Sequence, residues 1–320
     1  MTPDDLEFVI LAAGKSTRNY PHSKGIPHKA LVPFGSIKVI DHIIKEPIRA
    51  GVKNITIVVS DEQSKEAFES CFRHEPKIEE KFRKTGNNLS LELLQSLYMP
   101  DGVEIKYVIQ NEPKGLAHAV GLAARVAGGR HMCVRLPDDM VISELRFKGE
   151  GSAKSFVERA IEKYISDGRG GNLLATRHVD DPARWGIIEN GIFREKPASS
   201  TSDEASHTLL IFDREVADRL AAAATAADTE GTPEYSAWKD EGKELHYGHY
   251  INEAVRANPA MAIRTYPLAE TDIYLDCGTL EGYEKASLYM LLRASAFRKN
   301  HRETARRLLA AYDDEGDAAK

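Results

Sequence analysis

Residues 9–33 read VILAAGKSTRNYPHSKGIPHKALVP. The apolar run at the start reads as a buried strand, and it ends in Ala-Ala-Gly. A short loop then delivers Lys15, Ser16, Thr17, Arg18, Lys24 and Lys29 before apolar sequence resumes. Glycine lets the backbone approach a ligand closely and adopt positive φ. Backbone amides of such loops form anion-binding concavities. Fixed cations beside them suit a triphosphate, and an arginine adds a planar fork for phosphate oxygens. The bland reading, a glycine turn followed by a solvated basic loop, stays open on this stretch alone.

Working outward, further apolar runs read as strands at 8–12, 55–59, 105–109, 132–136 and 173–176. Segments with helical periodicity lie between them at 39–50, 62–72, 116–126 and 156–165. Strands alternating with helices imply right-handed crossovers and a mostly parallel sheet covered on both faces, an α/β architecture. Ligands of such sheets bind beyond the carboxyl ends of the strands, which is where the loops after Ala12 and Leu136 lie. Pro47 predicts a kink or interruption in the first helix. Residues 75–97 read as a charged helical insertion. Residues 185–193 read as a hairpin turning on Asn190-Gly191. The stretches 198–206 and 226–234 read as polar loops. Residues 280–312 predict one or two helices, packing on the domain or on a second copy of the chain. A disordered tail is expected over 313–320. The whole reads as a single domain over 1–312, with halves meeting near residue 140 and the C-terminal helices following about residue 280.

Bulk composition narrows the class. The 320 residues are 42% hydrophobic and 29% charged, ordinary values for a globular chain. A net charge of −6 gives no global basic field for nucleic acid, so phosphate binding must rest on local cations. The three cysteines, Cys71, Cys133 and Cys277, are far apart and form no zinc-type pairs. Cys133 reads as a small buried hydrophobe. The acidic start MTPDDLE lacks a secretory apolar region, and no stretch has the length of a membrane span, so a cytoplasmic protein is expected.

Beyond the first loop, Gln110 ends a strand and Lys114-Gly115-Leu116-Ala117-His118 opens a helix, whose first turn carries free amides. Gln110 offers a donor and an acceptor, which suits the edge of a pyrimidine. An ordinary strand-to-helix turn is the alternative. Leu136-Pro137-Asp138-Asp139 places carboxylates at a strand end, and Tyr274-Leu275-Asp276-Cys277-Gly278 does so again. Each acid alone is a cap or turn candidate. Together with the basic loop, Asp138 and Asp276 make a Mg²⁺ pair whose shell phosphates and waters would complete. Trp185-Gly186 precedes Arg194-Glu195-Lys196-Pro197, where Glu195 can bond sugar hydroxyls and Lys196 can meet a phosphate. That pair could equally be a solvated strand end. His22 and His28 read as surface loop residues, with contact to phosphates as the alternative, and His118 as structural. The Gly-x-Gly-x-x-Gly spacing of a nicotinamide dehydrogenase is absent.

Taken in order, these motifs resemble the sugar-1-phosphate nucleotidyltransferases, and among them the bacterial UTP–glucose-1-phosphate uridylyltransferases. The resemblance runs from Phe8 to about Tyr283 and includes KGLAHAV at 114–120. It implies a single Rossmann-like α/β domain of the nucleotide-diphospho-sugar transferase type, its mostly parallel sheet flanked by helices, with a nucleotide half, a sugar half, a small β-hairpin region and C-terminal helices. It implies that Ala13 and Gly14, with Lys15, Ser16 and Thr17, line the nucleotide. Arg18 and Lys29 would hold the departing phosphates, and Gln110 and Gly115 would read uracil. Asp138 and Asp276 would hold Mg²⁺, Gly186 and Glu195 would contact the sugar, and Lys196 its phosphate. UTP and a sugar 1-phosphate, glucose 1-phosphate first, are the implied substrates. Transfer from dTTP or to another sugar is the alternative within the class, and a silent nucleotide-sugar-binding regulatory subunit the alternative outside it. The chain departs from the family at Ser16, which replaces a glycine, near His28, where one residue is inserted, and over SHTLLIF at 206–212, which lacks the usual Ser-Asn and Gly.

Overall fold

The opening apolar run forms β1 (Leu6–Ala12) in the computed structural model, which describes residues 1–144, 153–168, 170–295 and 297–318. A small hairpin, β2 (Pro33–Phe34) and β3 (Ile37–Lys38), leads into α1 (Val39–Arg49) and β4 (Asn54–Val59). Helices α2 (Glu62–Phe72), α3 (Pro76–Thr85) and α4 (Asn88–Gln95) occupy the connection to β5 (Glu104–Ile109). Next come α5 (Leu116–Val126), β6 (His131–Arg135), β7 (Asp139–Ser143) and α6 (Phe156–Asp167). Strand β8 (Asn172–His178) precedes the hairpin β9 (Gly186–Glu189) and β10 (Ile192–Glu195), then β11 (Glu204–Phe212). Helices α7 (Arg214–Ala227), α8 (Pro233–Lys239) and α9 (Tyr247–Ala257) lead to β12 (Ile263–Pro267) and β13 (Asp272–Asp276). The C-terminal helices are α10 (Leu280–Arg293) and α11 (Arg298–Ala318).

Strands β6, β1, β4 and β5 lie side by side and parallel, as the alternation of strands and helices predicts. Strand β1 is buried on both faces: Phe8 and Ile10 enter one core cluster and Val9 the other. Strand β11 joins the parallel group antiparallel to β6 and also pairs with β8 and β9, welding the two halves into one sheet. The register sets Ile10 opposite Arg135, Ala12 opposite Val59, and Val59 opposite Ile109. The loops after residues 12, 109 and 135 therefore leave the sheet along one edge. A separate two-stranded ladder pairs β13 with β7 and sets Asp276 opposite Asp139. This ladder carries the late acidic motif to the same edge.

Local differences from the sequence reading have physical reasons. Helix α1 is not interrupted at Pro47; it runs on to Arg49, with the proline buried two residues from its end at the cost of one i→i−4 bond. The polar stretches are shorter than expected, since β11 begins at Glu204 and α7 reaches Ala227, so only 228–232 remain between α7 and α8. Asn190 and Gly191 both adopt positive φ, the geometry of a tight hairpin turn. Helix α11 continues to Ala318, where a disordered tail is expected from residue 313; residues 319–320 lie outside those described. The run ARRLLAA at 305–311 has high helix propensity, and no proline follows to stop it, so Gly316 alone strongly opposes continuation. Among the described residues no helix is long and apolar enough to cross a membrane.

Candidate functional site

A cavity of about 350 Å³ opens along that carboxyl edge, and its walls include Ala13, Gly14, Lys29, Gln110, Gly115 and Asp138. Lys15, Ser16, Thr17 and Arg18 also face it. The loop after β1 is shaped by Ser16, which adopts a left-handed φ of 54° where a glycine would be unstrained. The side chain supplies the compensation: Ser16 Oγ accepts the Lys29 backbone N–H at 2.9 Å. Its carbonyl accepts the Ser23 hydroxyl at 3.1 Å. Lys29 is thus tied to the loop by its own backbone.

Lys29 is almost fully buried and places Nζ 2.5 Å from Asp138 Oδ1, while Arg18 Nη2 lies 3.0 Å from Asp138 Oδ2. Burial works against the charged carboxylate, but Lys29 and then Arg18 outweigh it, holding Asp138 below its ordinary range. His28 is not a surface residue. It is buried, caps the short helical turn Lys29–Leu31 by accepting the Ala30 N–H on Nδ1 at 3.1 Å, and is pushed down to about 3 by burial and by Lys29. The nearby glycine and proline disguise it in the sequence. The ring stays neutral and adds no charge beside the cations.

Asp276 does not face the cavity directly. Its carboxylate accepts the Gly278 N–H at 2.7 Å and the Thr279 hydroxyl at 2.5 Å, shaping the turn into α10. It is nevertheless near Asp138, since Cys277 donates its N–H to the Asp138 carbonyl at 2.7 Å. A Cβ on Gly278 would sit 3.3 Å from Asp276 Oδ1 and 3.4 Å from Asp138 Cβ. The glycine keeps the gap between the acids free of side chain. Asp138 and Asp276 are the carboxylates here that could hold a hard divalent cation, which would take its remaining oxygens from phosphate and water. Among the described residues no closed cluster of three or more protein ligands competes with that arrangement.

At the far wall, Gly115 caps α5 with φ 106°, and a Cβ there would meet Leu245 backbone at 2.6 Å, so no other residue fits. Leu245 pairs its backbone with Lys114 and Ala117 on either side. Gln110 is not free to offer both of its groups. Its Nε2 donates to the Gly115 carbonyl at 3.3 Å and faces His118 Nδ1 at 2.9 Å. His118 Nε2 in turn lies 3.0 Å from Asp228 Oδ1, which also accepts from the buried Lys114 at 2.8 Å. Burial, set against Asp228, keeps the His118 ring below its ordinary pKa. Asp228 sits in a stretch that reads only as polar loop; no local signal in the sequence singles it out.

The residues expected to meet the sugar form a separate group. Gly186 stands opposite Glu195 in the hairpin register, and a Cβ on it would strike the Phe193 ring at 2.3 Å. Lys196 adopts a φ of 41°, donates its N–H to the Trp185 carbonyl at 3.0 Å and keeps an exposed Nζ 3.9 Å from Glu195. None of Gly186, Glu195 and Lys196 lines the cavity, in contrast to the nucleotide-side residues. Close by, the Arg177 guanidinium lies 4.5 Å from the Trp185 ring centroid and 4.3 Å from that of Tyr274. Thr208 takes a φ of 51°, rare for a β-branched residue. It is held there because Thr208 Oγ1 donates to Asp139, meets His207 Nδ1 at 2.7 Å, and its carbonyl accepts Leu136 N–H at 3.0 Å. The fully buried Arg135 completes this support, bonding the Asp139 carboxylate at 3.1 Å and its carbonyl at 2.9 Å. Arg135 hides at the end of a strand whose middle, residues 132–134, is apolar.

Comparison with known proteins agrees with this geometry. A uridylyltransferase of Bacillus subtilis, named UTP–glucose-1-phosphate uridylyltransferase, is 36% identical over 137 residues, covering 42% of this chain and 45% of that protein. UTP–glucose-1-phosphate uridylyltransferase 2 of Staphylococcus saprophyticus is 31% identical over 206 residues, 61% of this chain and 66% of that protein. The chain thus matches less than two thirds of the length of either relative. The solved structure of UDP-glucose pyrophosphorylase from Acinetobacter baumannii superposes with a TM-score of 0.74 at 22% identity, covering 96% of this chain and all of that one. A UTP-bound form of the Acinetobacter enzyme superposes equally well, and both show the same α/β fold. The nucleotidyl transferase family model matches residues 7–291, nearly the whole sheet and its site, and the chain belongs to that family.

Proposed function

We propose that this chain transfers a uridylyl group from UTP to a sugar 1-phosphate, glucose 1-phosphate first, releasing pyrophosphate. The observation that carries the reading is the meeting of Lys29 and Arg18 on Asp138, beside the Ala13–Gly14 loop at the carboxyl edge of the sheet. The names of the curated relatives support the choice of UTP and glucose 1-phosphate.

The sugar phosphate attacks with an oxygen that is already an anion, so no general base is needed. A bond forms between that oxygen and the α-phosphorus of UTP, in line with the bond to the bridging oxygen that breaks. The electron pair leaves with pyrophosphate. Ala13 and Gly14 would present backbone to the nucleotide, with Lys15, Ser16 and Thr17 around it. Arg18 and Lys29 would leave Asp138 for the β- and γ-phosphates, offsetting the charge that grows on the leaving group. Gln110 and Gly115 would meet the base, Gly186 and Glu195 the sugar, and Lys196 the sugar's phosphate. Asp138 and Asp276 would hold Mg²⁺, which when bound neutralises phosphate charge and lowers repulsion between the anionic substrates. Positioning and charge neutralisation carry the rate. Residence in the cytoplasm and self-association through α11, where Leu308 and Leu309 stay exposed, belong to the same reading.

The test is a grid of nucleoside triphosphates, including UTP, dTTP and CTP, against sugar 1-phosphates, read as pyrophosphate release with Mg²⁺. UTP with glucose 1-phosphate is expected to give the highest kcat/KM. No release from any pair would refute the transferase reading and leave a binding subunit.

A further inference from the structure

Three hydrogen bonds in a row fix which way the Gln110 amide points, and each link allows only one assignment. The Gly115 carbonyl accepts only, so the Gln110 atom 3.3 Å from it is the NH₂ group. That same nitrogen faces His118 Nδ1 at 2.9 Å, so Nδ1 is the acceptor and the ring carries its hydrogen on Nε2. Nε2–H then donates to Asp228 Oδ1 at 3.0 Å, an atom that Lys114 also bonds at 2.8 Å. Lys114 is buried and further held by the Ala227 carbonyl at 3.0 Å, so the chain is anchored in a cation that cannot accept. Both hydrogens of the Gln110 amide are consumed by the protein. Only its carbonyl oxygen remains for a ligand in the cavity that Gln110 lines.

We infer that His118 and Asp228 are positioning residues that make Gln110 an acceptor-only reader, selecting pyrimidines with a ring N–H (uracil and thymine) over cytosine. The inference rests on the nucleotide reading of the cavity and sharpens it. Uracil and thymine carry a hydrogen on N3, which Gln110 Oε1 accepts. Cytosine offers a lone pair there, which meets the same oxygen with repulsion and leaves it unsatisfied in a buried pocket. Uracil and thymine differ only at C5, so this device does not separate them. An unconstrained glutamine would turn its amide and accept either base, so selectivity lies in the relay behind it.

Direct binding to the full chain with Mg²⁺, measured by calorimetry for UTP, dTTP and CTP, tests this without any sugar substrate. UTP and dTTP are expected to bind at least about tenfold more tightly than CTP. His118→Leu removes the acceptor that holds the Gln110 amide, and the UTP-to-CTP ratio is expected to close to within about threefold. His118→Asn can set Oδ1 where Nδ1 stands and is expected to keep the preference. Asp228→Ala, at a partly exposed position, frees the ring to take its other tautomer and is expected to narrow the ratio with the ring intact. A wild-type ratio in both His118→Leu and Asp228→Ala would overturn the inference, as would loss of preference in His118→Asn. Equal binding of UTP and CTP by the unaltered chain overturns it alone, whereas no binding of any triphosphate removes the nucleotide reading with it.

Discussion

Replacing Asp138 with asparagine should destabilise the free protein and stabilise it again when a triphosphate arrives. The side chain keeps its size and loses its charge, so Lys29 and Arg18 lose the one carboxylate they share. Removing one partner of a fully buried pair costs about 3–5 kcal/mol, because the other charge is left behind. Lys29 is 9% exposed in its side chain but Asp138 is 37% exposed and Arg18 69%, so water screens part of the effect and the Arg18 contact adds little. A loss of about 2 kcal/mol is the resulting figure. Unfolding entropy of about 2.1 cal/mol/K per residue turns that into about 3 °C in Tm for 320 residues. The folded carboxylate titrates below its ordinary value of 3.8, so its contribution is fully present above that value and fades as pH falls through the folded pKa. Asp138→Asn and the unaltered chain should therefore differ at neutral pH and converge in acid. Added UTP without metal should raise the Tm of the variant by more than that of the unaltered chain, because phosphate replaces the missing counter-charge. Scanning calorimetry along a descending pH series from pH 7 to below the folded pKa, with and without UTP, reads all of this. An unchanged Tm at pH 7, or a deficit that grows in acid, would refute the reasoning.

Other expectations concern the remaining charged and strained groups. Lys196→Ala should raise KM for the sugar phosphate by about 10–100-fold with little change in kcat, as for one lost charge-assisted contact. Arg18→Ala should lower kcat by a similar factor with little change in KM for sugar, and steady-state kinetics giving equal losses in both variants would sink the separation of roles. Thr208→Ala keeps the unfavourable φ and loses the Asp139 bond, costing about 2 kcal/mol, whereas Thr208→Gly relieves the backbone and should cost about 1 kcal/mol less. Urea denaturation ranks the two variants, and equal midpoints would show that the φ of 51° stores nothing.

Much of the fold is legible because its signal is local. Strands β1, β4, β5 and β6 are dominated by apolar residues, and the connections between them carry a helix period, so the order of this parallel group follows from pattern alone. The edge at which loops gather follows from parallel pairing. The Ala13–Gly14 loop, Lys29 and Asp138 are legible for the same reason: they sit at strand ends marked by glycine, proline and charge. What escapes is whatever depends on partners and burial that only the folded chain supplies. Asp228 acts on His118 across 110 residues, and nothing near Asp228 distinguishes it from a solvated loop acid. Arg135 looks like a charge at a strand end but is fully buried against Asp139, the first residue of the next strand. His28 sits among Gly25, Pro27 and polar neighbours, the composition of an exposed loop, yet it is enclosed because the helical turn it caps carries Lys29 inward. Gln110 reads as a two-sided group until its partners are known. Pro47 reads as a breaker because sequence does not say that the proline is buried and the helix carried on to Arg49 in spite of the bond it loses.

Ser16 has a consequence for how much disorder a ligand must remove. A glycine would reach the same left-handed backbone at lower cost, but it has no hydroxyl to hold the Lys29 amide 2.9 Å away. With serine, the amides of the loop and the residue that carries the ammonium group opposite are tied at one spacing by the fold itself. The freedom of these segments is surrendered when the chain folds rather than when an anion arrives, so the entropic penalty falls on stability and is absent from affinity.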